Sequence, residues 1–222
     1  MTELFDTSVS GEQYLEALLE TLYMVSISLG IGALAGIPIG ITLVVARPGG
    51  VRPNRWVYGV LNVVVNVVRS VPFVILMVAI IPLTRLIVGR SIGTTAALVP
   101  LTIYIAPLIG RLIESSLLEV SSGIVEAADA MGANLWQTIR YFLLPEAKGS
   151  IILAMTTSCV GLIGATAMAG VIGGGGVGDL AISYGYQQFD TVAIVATVVI
   201  LVLVVQGLQS IGNAAAARAR RG

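Results

Sequence analysis

The stretch Val125-Glu126-Ala127-Ala128-Asp129-Ala130-Met131-Gly132, continued to Phe142-Leu143-Leu144-Pro145, is a polar island in an oily chain, with long apolar runs on both sides. Ile124, Ala127, Ala128 and Met131 fall at i, i+3, i+4 and i+7. That spacing predicts a short helix with one apolar, mostly small face and Glu126 beside it. Gly132 is expected to end or bend this helix, because glycine enters the left-handed cap conformation at little cost. Asn134 can then cap a second helix, Leu135 to Leu144. Pro145 has no N–H to give and is expected to end or kink it. A loop of this length with its own helical pattern points to a surface that meets something. The plain alternative is an amphipathic helix lying on the bilayer.

The chain has 222 residues, 56% hydrophobic and 11% charged, with a mean hydropathy of +0.96. A soluble domain is not this apolar, so the chain reads as integral to a membrane. A formal net charge of zero gives no argument for nucleic acid. There is no histidine, and the single cysteine, Cys159, sits in an apolar run. One thiol makes neither an internal disulfide nor a metal site. No basic segment and cleavage site open the chain, so no signal peptide is expected. Residues 1–20 instead carry Glu3, Asp6, Glu12, Glu16 and Glu20 without a Lys or Arg.

Five spans are expected, at about 20–45, 57–82, 91–112, 150–172 and 190–212, each near the roughly 20 residues that cross the hydrocarbon core. Pro100 and Pro107 interrupt the third. Arg47, Arg52 and Arg55 follow the first span. Arg111, Arg140 and Lys148 fall after the third, and Arg218, Arg220 and Arg221 are in the tail. Only Arg85 and Arg90 fall on the other side. The positive-inside rule then predicts an outer amino terminus, an inner carboxyl terminus and a cytoplasmic Glu126 loop.

Within the spans, Gly32, Gly36 and Gly40 form a small-residue stripe suited to close helix packing, within one chain or between two. Arg69-Ser70-Val71-Pro72 is expected inside span 2. A guanidinium there costs about 2.5–3.5 kcal/mol on insertion scales, so it should face protein or water. The reading is either a translocation route or a structural clamp. Met168 and Ala169 are apolar and small where a gate could close, with plain packing as the alternative. Gly173-Gly174-Gly175-Gly176-Val177-Gly178 matches G-x-G-x-x-G only formally, because no strand–helix–strand unit surrounds it. An outer hinge at Gly173, Gly174, Gly175, Gly176 and Gly178 is the better reading. Asp179 and Asp190 are expected in a solvated outer loop. Lys148 lacks the glycines of a phosphate-binding loop, so ATP binding by that route is excluded. No nucleophile–base pair or metal cluster is visible.

Glu126-Ala127-Ala128, then Gly132, then Phe142 and Leu144-Pro145 resembles the EAA loop of bacterial ABC importer permeases; the apolar position often held by Ile in that family is Phe142 here. Residues 18–213 extend the likeness to the methionine branch. The carriers are Asn66-Val67-Val68-Arg69-Ser70-Val71-Pro72-Phe73, Ile81-Pro82-Leu83-Thr84-Arg85-Leu86-Ile87-Val88-Gly89, Ser91-Ile92-Gly93, Val99-Pro100-Leu101-Thr102 and Ala106-Pro107. Arg111, Glu114, Leu117-Leu118-Glu119, Ala167-Met168 and Tyr184-Gly185-Tyr186 complete them.

The resemblance implies an all-α, five-span type I ABC importer transmembrane domain in the bacterial inner membrane. It divides the chain into an extracytoplasmic segment at 1–19, a transmembrane domain at 20–213 with a cytoplasmic coupling loop at about 113–149, and a basic tail at 214–222. Implied partners are a second copy of the chain, two ATP-binding cassette subunits, an extracytoplasmic methionine-binding protein and membrane lipid. No cofactor is expected in this chain, since ATP and Mg would be bound by the partner ATPase. Glu126, Ala127, Ala128, Met131, Gly132, Leu144 and Pro145 would meet that ATPase. Arg69, Ser70, Pro72 and Met168 would lie near the translocation route or gate. The implied activity is import of D- and L-methionine by alternating access, without covalent chemistry. The same architecture carrying another amino acid is the main rival. A channel is a second, and an intramembrane enzyme is disfavoured by the lack of histidine and of paired carboxylates.

Overall fold

The structure is a computed structural model that describes residues 7–220; Glu3, Asp6 and Arg221, and the ends of the two terminal segments, lie outside the described residues. Among the described residues every regular element is helical. In order they are α1 (Gly11–Ala46), α2 (Arg55–Ser70), α3 (Phe73–Ala79), α4 (Ile81–Val88), α5 (Thr94–Leu118), α6 (Ser122–Ala130) and α7 (Leu135–Gln137). A π-helical turn, Thr138–Leu143, leads into α8 (Leu144–Glu146) and α9 (Lys148–Gly170). Then come α10 (Gly176–Leu180), a second π turn at Ala181–Tyr186, and α11 (Thr191–Ala219).

Helices α1, α5, α9 and α11 are each long and apolar enough to cross a membrane, and the bent pair α2 with α3 makes a fifth span. The number of spans agrees with expectation; three details do not. Span 2 is not one helix. It breaks at Val71-Pro72, where Pro72 takes φ −55° and ψ 135° and caps α3. Proline biases the residue before it away from helix, which sets the break at Val71. Span 3 is uninterrupted: α5 runs through both Pro100 and Pro107. Arg111 therefore lies inside a helix and not in a loop, so it drops out of the charge count for that loop. Finally, α1 starts at Gly11, inside the segment expected to precede the membrane domain.

The start of α1 has a local cause. Ser10 and Gln13 form a capping box, Gln13 N–H donating to Ser10 Oγ at 3.3 Å and Ser10 N–H to Gln13 Oε1 at 2.7 Å. Asn54 Oδ1 similarly accepts from the N–H groups of Trp56 and Val57, both at 3.1 Å, at the start of α2.

The chain divides into two compact units, and the long helices contribute to both. One unit contains the segments up to Ile31, Val71–Ile105 and Cys159–Leu208. Its core is built on Met24, Leu101, Leu162 and Val177, all almost fully buried. Phe73 and Tyr104 meet edge to face at 5.2 Å within it.

The other unit contains Gly32–Ser70, Ala106–Ser158 and the chain from Gln209. Its core is Leu43, Ile109, Ile113 and Val65. Here α1 presses on α5. A Cβ on Gly36 would stand 2.6 Å from the Ala106 carbonyl oxygen, and one on Gly40 would stand 2.5 Å from that of Gly110. Gly36 and Gly40 thus pack within one chain, which resolves the alternative left open by their spacing.

Candidate functional site

The loop from Ser122 to Glu146 keeps the expected outline and changes its detail. Helix α6 ends at Ala130, and Gly132 adopts φ +71°. A hypothetical Cβ there meets nothing within 4 Å, so the requirement for glycine is conformational and not steric. Asn134 caps α7 in a full capping box with Gln137, the two bonds measuring 3.0 and 2.8 Å. The expected apolar face is split by the fold. Ala128 is fully buried, while Glu126, Ala127 and Met131 are exposed. Trp136 and Tyr141, which the spacing did not single out, are 68% and 66% exposed and extend the outward apolar surface. Thr138 and Leu143 hold the loop down from beneath.

Pro145 does not end or kink the helix where it stands. The Leu144 N–H reaches back five residues to the Ile139 carbonyl, and the Ala147 N–H reaches back four to Leu143 at 3.0 Å. The π turn thus absorbs the register change, and the N–H that Pro145 lacks falls at the seam. Helical geometry ends only at Ala147, where ψ is −1°. Behind α6 lies a cleft of about 440 Å³ whose lining includes Arg47, Ser122, Glu126, Asp129 and Leu143. Two acidic residues of the loop and Arg47 thus border one space. Arg47 Nε is buried without a hydrogen-bond partner.

The same unit holds a polar network that the reading of the sequence missed. Arg111 on α5 donates through Nη1 to Glu114 Oε2 at 2.5 Å. Its Nη2 donates to Asn62 Oδ1 and Asn66 Oδ1 on α2, each at 2.7 Å. Asn66 also donates to Asn62 Oδ1 at 3.3 Å. Glu114 is almost fully buried, so a complete charge pair sits within a span. The available signal was a pair of asparagines at i, i+4 and an Arg–Glu pair at i, i+3, all in apolar surroundings.

Arg69 and Ser70 continue the Asn62–Asn66 side of α2 toward its end. Arg69 is exposed and makes no salt bridge among the described residues, and Ser70 Oγ donates to the Asn66 carbonyl at 2.8 Å. Pro72 is exposed at the α2–α3 break. Met168, near the end of α9, is 49% exposed and belongs to the other unit. The structure therefore groups Arg69 and Ser70 with the loop's unit, and Pro72 and Met168 with the second.

The glycine run is a close-packed turn. Gly173, Gly175 and Gly176 have φ of 79°, 78° and 80°. The N–H of Gly176 donates to Glu20 Oε2 at 2.7 Å, and that of Val177 to Thr21 Oγ1 at 2.9 Å, both side chains belonging to α1. Asp190 is no free loop acid. It accepts from the Ala193 N–H at 2.9 Å, the Ser8 N–H at 3.0 Å and the Thr7 hydroxyl at 2.9 Å, capping α11 and tying down the chain before α1. The Ala193 N–H foremost, with the Thr7 and Ser8 donors, holds its carboxyl below the usual carboxylate range.

The family described as "Binding-protein-dependent transport system inner membrane component" matches residues 36–216. A probable D-methionine transport system permease protein MetI of Vibrio cholerae is 50% identical over 207 residues, covering 93% of this chain and 92% of that protein. The D-methionine transport system permease protein MetI of Yersinia pestis is 50% identical over 151 residues, 68% of this chain and 70% of its own. A solved structure described as "Inward facing conformations of the MetNI methionine ABC transporter" in its native crystal form matches with a TM-score of 0.92 at 39% identity. That match covers 95% of this chain and 99% of the other. An amino acid ABC transporter crystal structure shares the fold at a TM-score of 0.76 and 20% identity. With helices α1, α2/α3, α5, α9 and α11 as its spans, the chain belongs to the binding-protein-dependent transport system inner membrane components and has the type I importer transmembrane fold.

Proposed function

We propose that this chain is the permease of an ATP-driven methionine importer, working as a pair of copies on two ATPase subunits. The observation that carries the reading is the loop Ser122–Glu146. It is an exposed knob bearing Glu126, Ala127, Met131 and Trp136, held rigidly by a left-handed Gly132 and the Asn134–Gln137 capping box. Such a knob can enter a partner's groove and transmit a push without absorbing it. The relatives whose names specify D-methionine transport support the substrate class. Positive-inside charge supports a cytoplasmic loop and carboxyl terminus and an outer amino terminus.

In this reading Glu126, Ala127, Ala128, Met131, Gly132, Leu144 and Pro145 form or support the docking surface, and ATP with Mg is bound by the partner. Arg69, Ser70, Pro72 and Met168 lie along the route or its gate, and the glycine turn between α9 and α10 is the outer hinge. An extracytoplasmic binding protein delivers the substrate. Closure of the ATPase pair moves the knob, and the spans rock between outward and inward openings.

The reading is tested in proteoliposomes holding this chain with the ATPase and binding protein encoded beside it. Labelled methionine should accumulate only with ATP, and only methionine and close analogues should compete. ATP-driven uptake of a different amino acid would keep the permease and discard the substrate. Flux without ATP would support a channel instead.

A further inference from the structure

The direction of the hydrogen bonds around Arg111 decides what α2 presents on its open side. A guanidinium only donates. Its Nη2 therefore fixes the carbonyl oxygens of both Asn62 and Asn66 toward α5, each at 2.7 Å. Asn62 Oδ1 also accepts from the Asn66 amide at 3.3 Å. The acceptors of both side chains are thus occupied, and what remains on each is amide N–H. Asn62 Nδ2 makes no hydrogen bond among the described residues, and Asn66 Nδ2 uses one of its two N–H groups. Glu114 neutralises the charge of Arg111 without changing this orientation.

Asn66, Arg69 and Ser70 follow Asn62 at i+4, i+7 and i+8, so the four share one flank of α2, and the last three are exposed. Arg69 adds a guanidinium without an ion pair among the described residues. Ser70 donates to the Asn66 carbonyl and bounds the flank. Neither α2 nor α5 carries a carboxylate other than Glu114, which Arg111 already holds. The flank therefore offers N–H donors and one positive charge. Val60, Val63, Val64 and Val67 make the rest of the exposed side of α2 apolar. A charged flank within a span has to face water or protein, because lipid would not solvate it.

We propose, resting on the importer reading above, that this flank is a carboxylate track in the translocation route. Asn62, Asn66 and Arg69 donate hydrogen bonds to the carboxylate of the passing amino acid. Arg111 is a positioning residue that acts through the two asparagines, turning their N–H groups outward. Charge complementarity selects this occupant: donors and a positive charge suit a carboxylate and give an ammonium no partner. Several donors in succession also suit passage better than one tight ion pair, since a transported group has to leave each position as readily as it enters.

The test uses the assembled transporter in lipid nanodiscs, both faces open to solution, with Cys159→Ala as background and Ser70→Cys on the flank. The probes are two methanethiosulfonates of similar size, one bearing a sulfonate and the other a quaternary ammonium. Rates are normalised to those on a free thiol and read with and without ATP. Ser70→Cys should react about tenfold faster with the sulfonate probe. Asn66→Asp, which still accepts from Arg111 and so keeps the fold, should abolish that preference. Val64→Cys, two residues from each asparagine and so on the far side of α2, should react with neither probe. In proteoliposomes, Asn62→Ala leaves the charge pair intact and should lower the maximal rate of methionine uptake about tenfold, as for one hydrogen bond lost to a charged group. The half-saturating concentration should stay unchanged, because the binding protein captures the substrate first. Asn66→Asp should slow uptake as well. A purely structural role predicts the opposite, since a carboxylate holds Arg111 at least as well as an amide, so parental uptake by Asn66→Asp overturns the track. No reaction at Ser70→Cys in either state, or equal normalised rates with the two probes, also overturns it. Absence of ATP-driven uptake by the parent overturns the importer reading itself, and a transporting parent without probe preference overturns the track alone.

Discussion

Replacing Gly36 or Gly40 with alanine sets two effects of opposite sign against each other. In a helix interior, Gly→Ala gains about 1 kcal/mol of propensity. At Gly36, however, the new Cβ would lie 2.6 Å from the Ala106 carbonyl oxygen and 2.7 Å from Ile109 Cβ; at Gly40 it would lie 2.5 Å from the Gly110 carbonyl oxygen and 2.7 Å from Ile113 Cβ. Ordinary contact begins at 3.4 Å, and the crowding atoms include the backbone of α5. Relief therefore requires moving α1 off α5 by several tenths of an ångström. A gap of that order forfeits a sizeable part of each contact along the crossing. Overpacking of this kind costs about 1–3 kcal/mol, so the net change is a loss of up to about 2 kcal/mol at each site. Gly110→Ala should cost less, because its nearest obstacle, Ile39 Cγ2, stands at 2.9 Å and the nearest backbone atom, the Gly36 carbonyl oxygen, at 3.3 Å. Gly30, in the same α1, supplies the control: its Cβ meets nothing within 4 Å, so Gly30→Ala should be neutral or stabilising. Thermal unfolding of the purified chain in one detergent gives the order directly. Gly36→Ala or Gly40→Ala variants as stable as Gly30→Ala would refute the close α1–α5 packing.

Three other outcomes are expected. Glu114→Ala leaves the Arg111 guanidinium inside a span with only the neutral Asn62 and Asn66 and should cost about 2–3 kcal/mol, read as loss of folded protein after detergent extraction; Asn62→Ala, which leaves the charge pair intact, should cost less. Gly132→Val should uncouple ATP hydrolysis from uptake while membrane insertion persists, because a β-branched residue resists φ +71°. Gly132→Asn, which tolerates that conformation, should retain coupling, and equal loss in both would point to something other than backbone geometry. The lowered carboxyl of Asp190 contributes stability that is present above the unfolded value of about 3.9 and is lost as pH falls through the folded value. Proteolysis of the segment before α1 should rise on acidification in the parent, and Asp190→Asn should show the raised rate already at neutral pH.

Most of the spans were legible because hydropathy over twenty residues is a strong signal, and the loop was legible because Gly132 and Asn134 carry local backbone meaning. The break at Val71-Pro72 was not, since hydropathy does not register a missing N–H, and the apolar run continues across it. Pro100 and Pro107 suggested the opposite error, an interruption where α5 stays whole. Freed carbonyls inside a packed bundle find other partners, and nothing in the local sequence reports that. The outward splitting of Ala127 from Ala128 depends on what lies beneath α6, which only the tertiary fold decides. The Arg111 network escaped for a related reason: Arg111 lies 49 and 45 residues from Asn62 and Asn66, and its charge reads as part of a loop unless α5 extends through it.

In the reading proposed above, the exposed loop is what the ATPase grips. A photo-crosslinking residue at Trp136, 68% exposed on the loop, should capture the ATPase subunit in the assembled transporter, with a yield that changes on ATP binding. The same residue at Leu34, 79% exposed midway along α1, should give no ATPase adduct. Capture from Leu34 and none from Trp136 would show that the ATPase does not hold the loop.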